Sequence, residues 1–383
     1  MKINDSRLAE LFQTLCSIDS PSRREAALGK FLRTLFRSEF PEAAIMVDNS
    51  AAKTGSDTGN LIIHFPATLM DGPPIFFNCH LDTVEPGCGV QVIRKGSRFF
   101  SSGDTILGGD DKAGIAIIIE AMRHIREAGL PHPPIDFVFT TCEEIGLLGA
   151  KALDTSLLRA KMGYALDSTG VDLVITGAPA AIHFTCTISG VAAHAGLHPE
   201  RGINAIQLAA QALAALPLGR LDEESTANIG LISGGKATNI VPETVRLEGE
   251  VRSHSPEKLK AHTASLIGGI QAAVEGWLPP PDAQLAPGVR PGLAIEVSEE
   301  YPSLHLTERD PVIARTEKAA ARLGRPLQFL RAGGGSDANI LNSKGFATAI
   351  LGIGMDNVHS TEESIDLQDM TRTAELVFSL ITC

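Results

Sequence analysis

Ile135-Asp136-Phe137-Val138-Phe139-Thr140 runs directly into Thr141-Cys142-Glu143-Glu144-Ile145-Gly146. The first six residues are aromatic and aliphatic at strand length. The next six turn polar and place two carboxylates at the strand's carboxyl end. Upstream, 111–128 has a helical pattern closed by Gly129, and 60–65 and 74–79 read as strands. Downstream, 162–166 reads as another. Strands alternating with helices imply a layered α/β domain. Ahead of this region Asp5 or Ser6 would cap a helix through Leu8, Leu11, Phe12 and Leu15. Ser20-Pro21 breaks it, and a second helix spans 25–36.

From about Ala180 the texture changes. A strand at 182–189, a helix at 202–216, strands at 227–232 and 244–252, a helix at 256–277 and a strand at 293–299 form a small α+β unit. A Pro-rich loop, 278–291, precedes its last strand. From His305 the α/β rhythm resumes, with a helix to Leu323 and strands near 327–330 and 347–353. The expected organisation is an α/β catalytic domain, 1–179 and 303–383, interrupted by a smaller domain at 180–302.

The 383 residues suit two domains. Hydrophobic residues are 44% and charged residues 20%, as in an ordinary globular protein. Lys and Arg number 33 against 45 Asp and Glu, a net charge of −12, which argues against nucleic acid or an anionic membrane as partner. Cys16, Cys79, Cys88, Cys142, Cys186 and Cys383 are scattered without a CxxC pair. They read as reduced thiols of a cytoplasmic protein. The first ten residues lack a signal-peptide core, and no apolar run reaches membrane-spanning length.

Five short segments concentrate histidines and acids: 78–82 with His80 and Asp82, 108–114 with Asp110 and Asp111, 141–146 with Glu143 and Glu144, Leu166-Asp167, and Val358-His359-Ser360. Four follow strand ends and the fifth opens a helix, and open α/β sheets bind ligands beyond the carboxyl ends of strands. Each segment has an ordinary reading as well: a hydrogen-bonded polar pair, a helix cap, a solvated face. Taken together, two His, several acids and no cysteine among the candidate ligands suit zinc or manganese. One carboxylate shared by two ions could hold them about 3.5–4 Å apart around a common water.

The strings at 80–84, 109–114, 143–150, 192–196, 238–242 and 333–339 resemble the peptidase T family, within a superfamily that includes aminoacylases, succinyl-diaminopimelate desuccinylases and glutamate carboxypeptidases. The likeness runs from about Leu11 to Leu380. It implies two Zn2+ per chain, with Mn2+ or Co2+ as alternatives. His80 and Asp167 would serve one ion, Glu144 and His359 the other, and Asp110 both. It implies that Glu143 is the general base, that Asp82 accepts the His80 ring N–H, and that His194 stabilises the oxyanion, often across a dimer interface in relatives. Asn239 and Arg252 match positions that grip substrate, although Arg252 also reads as a sheet-edge salt bridge; the glycines 333–335, Gly334 among them, could bring backbone N–H groups close to substrate or form a plain turn. His198 reads as a loop residue.

The implied fold is a mixed sheet between helices, with the inserted α+β domain serving as lid and homodimer surface and with hinge crossings near 180 and 302. The implied activity is hydrolysis of the N-terminal bond of short peptides, tripeptides in particular. Asp167 favours this over deacylation of N-acyl amino acids, where relatives carry glutamate. Ser168 departs from the glycine that commonly follows this aspartate. A third reading, an inactive scaffold, would need a missing ligand or base, and every one is present.

Overall fold

The run Ile135–Thr140 is a strand buried along its whole length. A strand covered on both faces belongs in the middle of a sheet packed between helices. The computed structural model describes residues 3–69 and 72–383. They divide into two units, Met1–Ala178 with Leu304–Cys383, and Pro179–Ser303.

In the first unit four parallel strands form the sheet centre, in the order Ile135–Thr140, Ile75–His80, Met162–Thr169, Ala347–Asp356. Antiparallel strands extend both sides. Leu61–Phe65 and Ala44–Val47 lie on one flank, and Ser364–Asp366, Arg98–Ser101 and Val92–Lys95 on the other. The sheet is therefore mixed, as expected. The helix Gly109–Glu127 is buried over most of its length, with Ile115 to Ile119 fully buried, because it packs between the sheet and two further helices, Asp5–Cys16 and Leu367–Thr382. One core joins these elements.

The second unit is an antiparallel sheet in the order Gly219–Arg220, Ser225–Gly234, Thr244–Ser253, Ala180–Ser189, Gly292–Tyr301. Its strands are half-buried in alternation. Ile182, Phe184, Cys186 and Ile188 enter a core with Leu208 and Ala212 of one helix and Leu259, Leu266 and Ile270 of another, while His183 faces outward. This core is separate from that of the first unit.

Some boundaries differ from the pattern reading for local reasons. The first helix is capped by Asn4, whose side chain accepts the Arg7 N–H at 3.1 Å, and not by Asp5 or Ser6. The helix expected over 202–216 spans Ala205–Ala215, because Asn204 caps it and Ile203 is taken up in a bridge to Val191. The hairpin Val92–Lys95/Arg98–Ser101 and the strand Leu173–Ala178 are absent from the pattern reading. The outer strand of that hairpin is half-exposed and mixes Arg and Lys with its apolar residues. No helix among the described residues is long and apolar enough to cross a membrane.

Candidate metal centre

Parallel strands bring their carboxyl ends to one edge, and the chemistry-bearing residues collect there. His80 ends its strand, Asp167 lies near the end of Met162–Thr169, Glu143 and Glu144 follow Thr140, and His359 follows Asp356. Asp110 comes from the start of the helix Gly109–Glu127.

Asp110 lies between two imidazoles. Its Oδ1 is 3.0 Å from His80 Nε2, and its Oδ2 is 3.3 Å from His359 Nε2. Glu144 reaches the same His359 nitrogen at 3.1 Å. Ligand-capable atoms of His80, Asp110 and Asp167 lie within 4.8 Å of one another, as do those of Asp110, Glu144 and His359, and those of His80, Glu143 and Glu144. The first two groups share Asp110. A tetrahedral zinc ion with bonds of about 2.0–2.1 Å sets its ligand atoms about 3.3 Å apart. The observed nitrogen–oxygen separations therefore fit a metal on either side of Asp110.

The electrostatics agree with the donor set. Burial, then the charge of Asp167, pushes the Glu143 carboxyl well above its usual range. Burial, then Asp110, does the same to Asp167. Burial would also raise Asp110, but hydrogen bonds from His359 and His80 outweigh it and hold that carboxyl low. His359 is pushed up to about 10 by its bonds to Asp110 and Glu144. So many carboxylates in so little water call for cationic charge among them. Half of the His359 side chain is exposed, so the cluster opens to solvent on that side.

Asp82 is engaged differently from the expectation. The His80 Nδ1–H donates to the backbone carbonyl of Asp82 at 2.9 Å, while the carboxylate stands 3.6 Å away. That carboxylate accepts the N–H of Glu143 at 2.8 Å, the N–H of Glu144 at 3.2 Å and the Ser22 hydroxyl at 2.6 Å. A buried carboxylate satisfies its oxygens with the donors in reach. Here those are the amides of the turn that carries both glutamates.

In the second unit, His194 Nδ1 accepts the N–H groups of Gly196 and Leu197, each at 3.2 Å. A neutral ring so held carries its proton on Nε2. Asn239 is its neighbour, since its carbonyl accepts the Ala195 N–H at 2.9 Å and His194 bridges Ile240. Arg252 is not brought to them. It lies on Thr244–Ser253 at the opposite end from Thr244, roughly 26 Å along the strand at about 3.3 Å per residue, and its fork holds Glu250 at 3.0 Å through both Nε and Nη2. Glu250 and Glu300 both flank His183. In the first unit, Gly334 lies in the bend before Ser336, which caps the helix Asp337–Ser343. His198 pairs with Glu200 on the surface.

Two buried acids escape the motif reading. Asp337 takes the Thr140 hydroxyl on Oδ2, while Oδ1 has no protein partner, and burial pushes its carboxyl up to about 6. Its position inside Gly-Gly-Gly-Ser-Asp was the available signal. Glu363 accepts three amides of the segment leading to Asp110, and nothing local in the sequence announces that.

The chain resembles known proteins along its whole length. Residues 176–275 match a peptidase dimerisation domain, residues 60–176 peptidase family M28, and residues 283–376 the M42 glutamyl aminopeptidase family. It is 40% identical over 380 residues to the uncharacterised protein YqjE of Bacillus subtilis, covering 99% of this chain and 98% of that one. A crystal structure of aminopeptidase PepT from Bacillus cereus shares 39% identity with a TM-score of 0.86, covering 99% and 98% of the two chains. A tripeptidase from Staphylococcus aureus shares 34% with a TM-score of 0.90, covering 100% and 99%. With likeness of this extent to peptidases of known structure, and with a histidine–carboxylate cluster suited to divalent metal at the sheet edge, the chain belongs to the peptidase T-like M20 family of metallopeptidases.

Proposed function

We propose that this metallopeptidase removes the N-terminal residue from short peptides, tripeptides foremost, with two divalent cations sharing Asp110. The observation that carries the reading is the position of Asp110, with one oxygen toward His80 and the other toward His359. His80 and Asp167 complete one ligand set, and Glu144 and His359 the other. This set of histidines and carboxylates favours zinc, with manganese or cobalt as substitutes. When bound, such ions would polarise the scissile carbonyl and make a shared water more acidic.

Glu143 is the base in this scheme. Its carboxylate takes a proton from the attacking water and delivers it to the leaving amine. His194, protonated on Nε2 by the turn that holds Nδ1, donates to the oxyanion. Asn239 and Gly334 are candidate contacts for the peptide backbone. Arg252, paired with Glu250 away from His194 and Asn239, has no part in this scheme. The relatives of known structure, an aminopeptidase and a tripeptidase, support the substrate class. The dimerisation-domain match supports the inserted unit, Pro179–Ser303, as the surface of a homodimer. Six free cysteines suit a cytoplasmic setting.

The test is a panel of dipeptides, tripeptides and N-acetyl amino acids, offered to protein loaded with zinc, manganese or cobalt. Release of the N-terminal residue from tripeptides, abolished by a chelator, is the expected result. Turnover of the acetylated amino acids alone would move the chain to the deacylases.

A further inference from the structure

We propose that Glu363 is a positioning residue that sets the spacing between Asp110 and His359 by gripping the backbone of the Asp110 loop. The inference rests on the metal reading above.

Glu363 is 1% exposed, and among the described residues its carboxylate forms no ion pair. Its Oε2 accepts the N–H groups of Leu107 and Gly108, both at 2.8 Å, and its Oε1 accepts the N–H of Asp110 at 3.1 Å. Three converging amides form a cradle for an anion, filled here by a carboxylate from a segment more than 250 residues away in the chain. The cradle is shaped for that approach. Gly108 has φ +72°, and a Cβ on Gly109 would come within 3.0 Å of Glu363 Oε1. Only glycine fits both positions without strain or displacement.

The other end of the linkage is the loop that carries His359. Residues 357–363 connect Ala347–Asp356 to Ser364–Asp366, which pair antiparallel. The loop is tied to itself: the Ser360 hydroxyl donates to the Asn357 carbonyl at 2.7 Å, and the Glu363 N–H donates to the Ser360 carbonyl at 3.1 Å. His359 and Glu363 therefore move as one piece, and Glu363 fastens that piece to the amide of Asp110. The two residues that flank one candidate ion, from opposite ends of the sequence, are held in register by one carboxylate. Charge-assisted bonds to amides are suited to this task, being about twice as strong as neutral ones.

The experiment titrates metal-free full-length protein with Zn2+ against a competing chelator and reads two successive dissociation constants, for the wild type and for Glu363→Gln. The glutamine amide presents N–H groups to N–H groups and gives up part of the grip. Weakening of one zinc step by about 10–100-fold, the range for residues that orient ligands, with the other step moved far less, is the expected result. Excess zinc should then restore much of kcat. Two zinc affinities within twofold of wild type would overturn the inference, and so would an equal loss in both steps that follows a loss of folded protein. Glu363→Asp, one methylene shorter, serves as the second variant if the glutamine form does not fold. It keeps the charge, withdraws the reach, and should show the same one-sided weakening. A wild-type chain that takes up fewer than two zinc ions would overturn the metal reading and this inference together.

Discussion

The carboxylate of Asp82 accepts the backbone N–H of Glu143 at 2.8 Å. The same side chain takes the Glu144 amide and the Ser22 hydroxyl, and its own carbonyl receives the His80 ring. One residue thus fixes a candidate ligand, a second candidate ligand and the candidate base. Asp82→Asn should lower kcat/KM by about 10–100-fold, the range for groups that orient ligands. Steady-state kinetics alongside metal analysis check this. Unchanged kinetics would show that the turn holds its shape unaided.

Glu143→Gln keeps the backbone amide that Asp82 grips and removes only the proton carrier. It should lower kcat by about 10²–10⁴-fold, the range for a lost general acid–base group, while bound metal stays at the wild-type level. A variant that loses metal and activity together would identify Glu143 as a ligand, which its grouping with His80 and Glu144 makes a meaningful alternative outcome.

Metal removal should weaken the fold as well as the activity, because Asp110, Glu143, Glu144 and Asp167 are left crowded together. An ion present at 100 times its Kd stabilises the folded state by about 2.7 kcal/mol. Thermal melts with chelator, and after zinc is returned, should show Tm falling and recovering. A Tm indifferent to both would leave the cluster without a cation.

A pH effect is expected far from the site, at Asp136. Burial would raise this carboxyl, but hydrogen bonds from His64 at 2.7 Å and from Arg159 at 2.9 and 2.6 Å hold it below its ordinary value. A carboxyl depressed on folding adds stability that is complete above its unfolded pKa, about 3.9, and is lost as pH falls through its folded pKa. Asp136→Ala should cost about 1–3 kcal/mol near neutrality, because His64 and the backbone N–H groups of Arg159 and Ala160 lose their acceptor while the Arg159 guanidinium is itself exposed. The gap in stability between variant and wild type should narrow only below about pH 4. Denaturant melts across pH 2–7 measure it. A gap that closes between pH 5 and 7 would assign the effect to another group.

Much of the site is legible in sequence because short-range chemistry places it. His80, Glu143, Glu144 and Asp167 stand at or just beyond the ends of apolar runs, and parallel strands carry such ends to one edge whatever the loops do. The partner of Arg252 was within reach too, since residues two apart on a strand share a face and Glu250 precedes it by two. The grip of Asp82 on the glutamate turn was not legible. Which of several nearby donors a buried carboxylate takes is settled by the path of the backbone after His80, and no spacing encodes that path.

By itself the sequence determined the alternation of strands and helices, the inserted α+β unit and the residue types suited to divalent metal. These follow from hydrophobic period and side-chain chemistry, which are local. Tertiary structure gave Asp110 one oxygen toward each of His80 and His359, a placement that only the family resemblance had implied, and it alone decided that Glu363 closes on the amides of Leu107, Gly108 and Asp110. Those relationships join segments from 30 to 256 residues apart. They exist only once burial strips the carboxylates of water and leaves backbone N–H groups and imidazoles as their remaining partners.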